Sequence, residues 1–144
     1  MTVSLRWMTL ELVPLATMRF TLATPLTIAD TPRGTRVVVE VSDGVLEGDR
    51  IRARQKGAAA ADWLTVDAHG LGTLDVRGVL ETDDGALIYV TYTGRIDFAT
   101  GGTPYTAPLF DTGDERYRWL TRIQAVGKGV TEGDTLTYEL YELR

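Results

Sequence analysis

Apolar and polar residues alternate through most of this chain, and tight turn signals break the runs. The clearest stretch is Leu74-Asp75-Val76-Arg77-Gly78-Val79-Leu80, followed by Asp83-Asp84-Gly85 and then Ile88-Tyr89-Val90-Thr91-Tyr92. Strand side chains point to opposite faces with period two, and Asp-Gly between alternating runs is a strong hairpin signal. The pattern therefore predicts an antiparallel β protein whose strands carry charged and phenolic groups on one face. If the sheet closes on itself, that face is expected to line a lumen.

The same reading predicts a first strand over Leu10–Leu22, irregular at Pro14, then a loop over Ala23–Gly34. A second strand is expected over Thr35–Val41, where Val37-Val38-Val39 is β-branched on both faces. Ser42-Asp43-Gly44 is read as a turn into a third strand, Val45–Gln55. Gly57–Ala61 is read as a loop or wide bulge, and Asp62–Val66 as extended. The turn Asp67-Ala68-His69-Gly70 leads into a long hairpin of Thr73–Thr82 and Ala86–Phe98. Strands over Tyr105–Phe110, Thr121–Gly127 and Thr135–Leu143 complete the set, with a helical turn at Asp114–Tyr117. About nine short strands without a long helix predict an all-β protein, a single antiparallel barrel of about eight to ten strands, because closure removes exposed edges. The expected organisation is a flexible extension over 1–9 and one barrel domain over 10–144.

Composition narrows the chemistry. The 144 residues are 44% hydrophobic and 24% charged, with a net charge of −5 and no cysteine. Disulfides, thiolate metal sites and cysteine nucleophiles are thereby excluded. No basic stripe of the kind that neutralises phosphates is visible, so no nucleic-acid partner is expected. Arg50, Arg52, Arg54 and Lys56 alternate, and read as a solvated face or a protected edge. No run approaches the ~18 apolar residues of a membrane helix, so no membrane partner is expected and a cytoplasmic setting is. His69 is the only histidine and the serines are Ser4 and Ser42 alone. A zinc site of several histidines and a Ser-His-Asp triad therefore find no support, and neither metal nor cofactor is expected.

The candidate chemistry rests on a few residues. An indole beside a carboxylate, as in Asp62-Trp63, shapes an apolar pocket and raises the carboxylate's pKa by desolvation; Trp63 as core and Asp62 as a turn cap is the structural alternative. Asp75 and Arg77 share a strand face, and Tyr89 lies across the hairpin from them, so the three form a candidate polar patch. Arg36, at a loop-to-strand junction, could hold a carboxylate or enolate oxygen bidentately. Tyr117 and Trp119 share parity and add aromatic area near one end of a barrel.

In order along the chain, Thr31-Pro32-Arg33-Gly34-Thr35-Arg36, Glu47-Gly48, Gly57 with Ala61-Asp62-Trp63, Asp83-Asp84-Gly85-Ala86-Leu87-Ile88-Tyr89 and Tyr117-Arg118-Trp119-Leu120 resemble the domain-of-unknown-function 3237 family of small bacterial proteins. The resemblance runs from about Leu10 to Tyr141. It implies a β-barrel of the kind used by cofactor-free cyclases and isomerases, and no activity general to the family. Its recurrent polar set falls on Arg36, Asp62, Trp63, Tyr89, Tyr117 and Trp119. The family's usual Asp-Gly pair after the Asp-Trp strand is replaced here by Asp67-Ala68-His69-Gly70.

Three readings follow. The first is a cofactor-independent isomerase, cyclase or lyase acting on a small organic molecule inside the barrel, with Asp62, Tyr89, Arg36 and Tyr117 as catalytic groups. Trp63, Asp75, Arg77 and Trp119 would then bind the substrate. The second is a barrel that holds a hydrophobic ligand without transforming it. The third is a filled barrel serving assembly, with a homo-oligomer as its natural form.

Overall fold

The computed structural model describes residues 8–144. The first seven positions of the expected N-terminal extension lie outside the described residues. Eleven strands join one sheet: β1 (Leu12–Leu22), β2 (Leu26–Thr31), β3 (Gly34–Glu47), β4 (Arg52–Gln55), β5 (Ala61–Val66), β6 (Leu71–Thr82), β7 (Leu87–Asp97), β8 (Pro104–Thr106), β9 (Leu109–Asp111), β10 (Ala125–Glu132) and β11 (Thr135–Leu143). Eight of them close an antiparallel barrel in the circular order β1, β3, β5, β6, β7, β8, β10, β11. Short β4 bridges β3 and β6 below β5, while β2 and β9 add to β3 and β7.

Several boundaries differ from the sequence reading. The expected Ala23–Gly34 loop contains β2, which folds back on β3 through the Thr31–Gly34 turn. Leu26 and Ile28 stay exposed there, so burial contributed no pattern to betray the strand. Ser42-Asp43-Gly44 does not turn the chain; β3 runs through it with a bulge, where β1 pairs Thr21 with Asp43 and then Leu22 with Val41. The turn comes instead after Glu47, because Gly48 packs so closely on Leu15 and Ala16 that a Cβ there would meet backbone. The four alternating cations are thereby divided. Arg50 leaves the strand, and Arg54 and Lys56 pair with Asp43 and Glu81. The Tyr105–Phe110 strand is broken into β8 and β9, with Ala107-Pro108 between them. The helical turn extends to a 3₁₀ helix over Glu115–Arg122, so the next strand begins at Ala125.

The apolar parity of each strand faces inward. Met18, Leu46, Leu80, Ile88, Phe110, Leu120 and Leu140 are all nearly inaccessible and fill one half of the barrel. Burying a side chain of this size contributes roughly 1.5–3 kcal/mol. The 3₁₀ helix seals that end. Its Leu120 is fully buried, Tyr117 and Trp119 pack on the core, and Tyr117 Oη donates to Asp84 Oδ1 at 2.8 Å. Glu142, 7% exposed, is held there by Arg50 at 3.3 Å and Arg144 at 2.9 Å, and Arg50 also lies over the Trp119 ring. Among the described residues, no helix is long and apolar enough to cross a membrane.

Candidate functional site

The other half of the barrel is hollow. A cavity of about 160 Å³ lies inside it, bounded by Phe20 and Leu22 from β1, Val39 and Val41 from β3, Leu64 from β5, Leu74 and Val76 from β6, and Ile96 from β7. Phe98, Pro104, Thr131 and Leu136 complete the lining, and Phe98 and Thr131 are its solvent-exposed members. Three side chains bring polar atoms into this apolar space beside Thr131: Asp62, Tyr92 and Tyr138.

Strand register explains why they meet. Val39 pairs with Asp62, Asp62 with Val76, and Val76 with Tyr92, so these four residues form one row across β3, β5, β6 and β7. All share the inward face. Tyr138 enters from β11, where it pairs with Met18 of β1 and Gly129 of β10. A Cβ on Gly129 would sit 2.8 Å from the Tyr138 ring, so the missing side chain lets the ring lie against β10. Gly44 does the same for Phe20. The rings then pack on one another: Phe20 stacks on Tyr92 at 6.3 Å, and Tyr92 meets Tyr138 edge-on at 5.6 Å.

Asp62 carries the electrostatic anomaly. Burial pushes its carboxyl up to about 6, opposed by the Asp75 N–H that donates to Oδ1 at 3.0 Å and assisted by the negative charge of Asp75. Tyr92 and Tyr138 are both raised, chiefly by burial, and the negative charge of Asp62 adds to the shift in each. The tyrosines therefore remain protonated donors at neutral pH while Asp62 exchanges a proton near it. The arrangement provides one acid–base group and two neutral hydrogen-bond donors around an apolar space. Among the described residues no group of three His, Cys, Asp or Glu is placed to hold a metal ion.

Of the eight residues singled out from sequence, the structure places Asp62 alone in the cavity wall. Trp63, next to it, points outward and lies under the Arg77 guanidinium at 4.6 Å. Arg77 and Asp75 are on the exposed face of β6, although the Asp75 backbone reaches Asp62. Tyr89 is on the exposed face of β7 and Arg36 on that of β3. Tyr117 and Trp119 belong to the sealed end. The expectation that the charged and phenolic face lines the lumen is thus reversed. In water the polar parity faces solvent and the apolar parity turns inward. Tyr92 and Tyr138 were missed for that reason. They occupy the same parity as Ile88-Val90 and Leu136-Leu140, and the informative signal was a carboxylate, Asp62, on the parity of Leu64 and Val66.

Comparisons with known proteins agree with this architecture. The model of DUF3237, described as a protein of unknown function, matches residues 10–143. A hydroalkoxylation enzyme from Penicillium herquei is 33% identical over 87 residues, covering 60% of this chain and 52% of that protein. The chain therefore spans about half the length of that relative. A β-barrel-like protein from Acinetobacter baumannii superposes with a TM-score of 0.84 at 30% identity, over 94% of this chain and 97% of that one. The structure of an enzyme from Penicillium herquei superposes with a TM-score of 0.74 at 25% identity, over 94% of each chain.

Proposed function

This chain belongs to the DUF3237 family, and on that premise we propose that it is a cofactor-independent enzyme that rearranges or cyclises a small organic molecule in the open half of the barrel. The observation that carries the proposal is Asp62, a carboxyl raised to about 6 in an apolar cavity that it shares with two tyrosine hydroxyls. A general acid–base group is most effective when its pKa lies near the working pH. Tyr92 and Tyr138, rather than Tyr89 and Tyr117, take the role of proton-bearing donors toward charge that develops on the substrate. Isomerase, cyclase and lyase chemistry all fit such a set. The hydroalkoxylation activity of the Penicillium relative favours addition of a hydroxyl across an alkene.

In that reaction Asp62 takes the hydroxyl proton as the oxygen bonds to one alkene carbon. The proton then returns to the other alkene carbon. An O–H bond and a π bond are exchanged for a C–O and a C–H bond, so no electrons leave the substrate. The apolar wall excludes water that would compete for the same proton. A carrier that binds a hydrophobic ligand is the second reading, favoured by the mostly apolar lining.

Turnover of a panel of small hydroxy-alkenes in deuterium oxide separates the two. The wild-type chain is expected to yield cyclic ether with one deuterium on carbon, and Asp62→Asn to lose roughly 10²–10⁴ of the rate. Turnover that persists in Asp62→Asn refutes the acid–base assignment. Saturable binding with no product for any member of the panel supports the carrier.

A further inference from the structure

We propose that the cavity selects its ligand by charge as well as by size: it admits an uncharged molecule with one ring that offers a hydroxyl to Asp62, and it refuses a carboxylate built on the same ring. This rests on the reading of Asp62 as the acid–base group. The size limit follows from the volume. The cavity measures about 160 Å³, and an apolar cavity of ~150 Å³ takes one benzene ring. A larger molecule has to extend through the mouth past Phe98.

The charge limit follows from what faces the cavity. Among the described residues, no lysine, arginine or histidine lines the cavity. The nearby cations are turned away: Arg36 and Arg77 are exposed, and Arg95 donates to Thr73 Oγ1 on the outside. Around Asp62, β3 offers only Val39 and Val41, β6 offers the Asp75 N–H with its negative side chain outside, β7 offers Tyr92 and β11 offers Tyr138. An ionised ligand would therefore meet the Asp62 carboxylate and, among the described residues, no counter-ion. A second negative charge beside a carboxylate in an apolar cavity opposes binding strongly. A hydroxyl meets the reverse situation. An ionised carboxylate accepts more hydrogen bonds than the one that Asp62 receives from the chain, so the ligand's O–H has an acceptor waiting. A tyrosine hydroxyl can donate to the ligand oxygen in return.

The test is binding of phenol, toluene and sodium benzoate to the intact chain, followed by amide chemical shifts of the cavity strands. At about pH 8 phenol is expected to bind at least about tenfold more tightly than benzoate. Toluene, which lacks the hydroxyl, should fall below phenol. At about pH 5 Asp62 is mostly protonated and benzoate also gains neutral acid, so the gap between phenol and benzoate should narrow in the wild-type chain by more than it does in Asp62→Asn over the same range. Asp62→Asn should narrow it at both pH values. Equal binding of phenol and benzoate at the higher pH, a ratio that pH moves no more than in Asp62→Asn, or no shift of the cavity residues by any of the three overturns the inference. The outcome is separable from the enzymatic proposal. Asp62→Asn that loses turnover but keeps the ratio sinks the charge selection alone, and one that changes the ratio but keeps turnover sinks the acid–base assignment alone.

Discussion

Two acidic side chains point into the barrel, and their surroundings differ completely. At the sealed end, Glu142 is gripped by the guanidinium groups of Arg50 and Arg144, and Arg50 is in turn held over Trp119. At the open end, Asp62 has one backbone N–H and, among the described residues, no cation, and its carboxyl is pushed up to about 6. Burial of a charge is tolerated when partners neutralise it, and otherwise the group retains its proton more readily. Glu142 thereby tethers the C-terminal strand and the β3–β4 turn to the 3₁₀ helix. Asp62 is left with unsatisfied electrostatics that a ligand can resolve. The packing follows the same division. Around Leu120 the lumen is filled with aliphatic side chains, whereas Phe20, Val76 and Tyr138 border the cavity.

The largest effect that would sharpen this contrast is loss of packing at the sealed end. Leu120→Ala removes a fully buried side chain and is expected to cost about 3 kcal/mol, read as a lower denaturant midpoint. A change below about 1 kcal/mol would mean that this half is not tightly packed.

At the open end the expected sign is opposite. The carboxyl of Asp62 holds its proton more tightly in the folded chain than in the unfolded one, where 3.8 is the ordinary value. The folded state therefore binds more protons between about pH 4 and pH 6, and stability falls as pH rises through that window. Asp62→Asn keeps an acceptor for the Asp75 N–H and abolishes the fall. It should stabilise the protein by about 2 kcal/mol at neutral pH, allowing for solvent at the mouth. Thermal unfolding of both proteins across that range checks it, and parallel profiles would contradict it.

Smaller effects belong to the polar groups outside the cavity. Tyr117→Phe removes the donor to Asp84 and is expected to cost about 1 kcal/mol without changing turnover. Tyr89→Phe should alter stability by less than about 0.5 kcal/mol and leave turnover unchanged, because its ring is on the exposed face of β7. A loss of turnover in either variant would move the reacting centre away from the open half of the lumen.

The strands of the long β6–β7 hairpin were legible because alternation and Asp-Gly chemistry act locally, and its pairing runs from Leu71 with Asp97 to Glu81 with Leu87. The β2 strand was not, since its apolar residues stay exposed and the alternation rule has no buried face to detect. Asp62 was legible as a desolvated carboxylate. Its partners were not, because Tyr92 and Tyr138 are 46 positions apart along the chain and meet only through barrel closure and the flat surface that Gly129 provides. Tyr89 stands out in the sequence because it belongs to the patterned hairpin and shares parity with Asp75 and Arg77. That parity belongs to the solvent face.

The most direct measurement is the titration of the Asp62 side-chain carboxyl carbon by NMR in the full chain without ligand. An inflection is expected near pH 6, sensed by the Tyr92 and Tyr138 rings. An inflection at or below the ordinary value of 3.8 would show a solvated carboxylate, and the open half of the barrel would then hold no acid–base group tuned for chemistry.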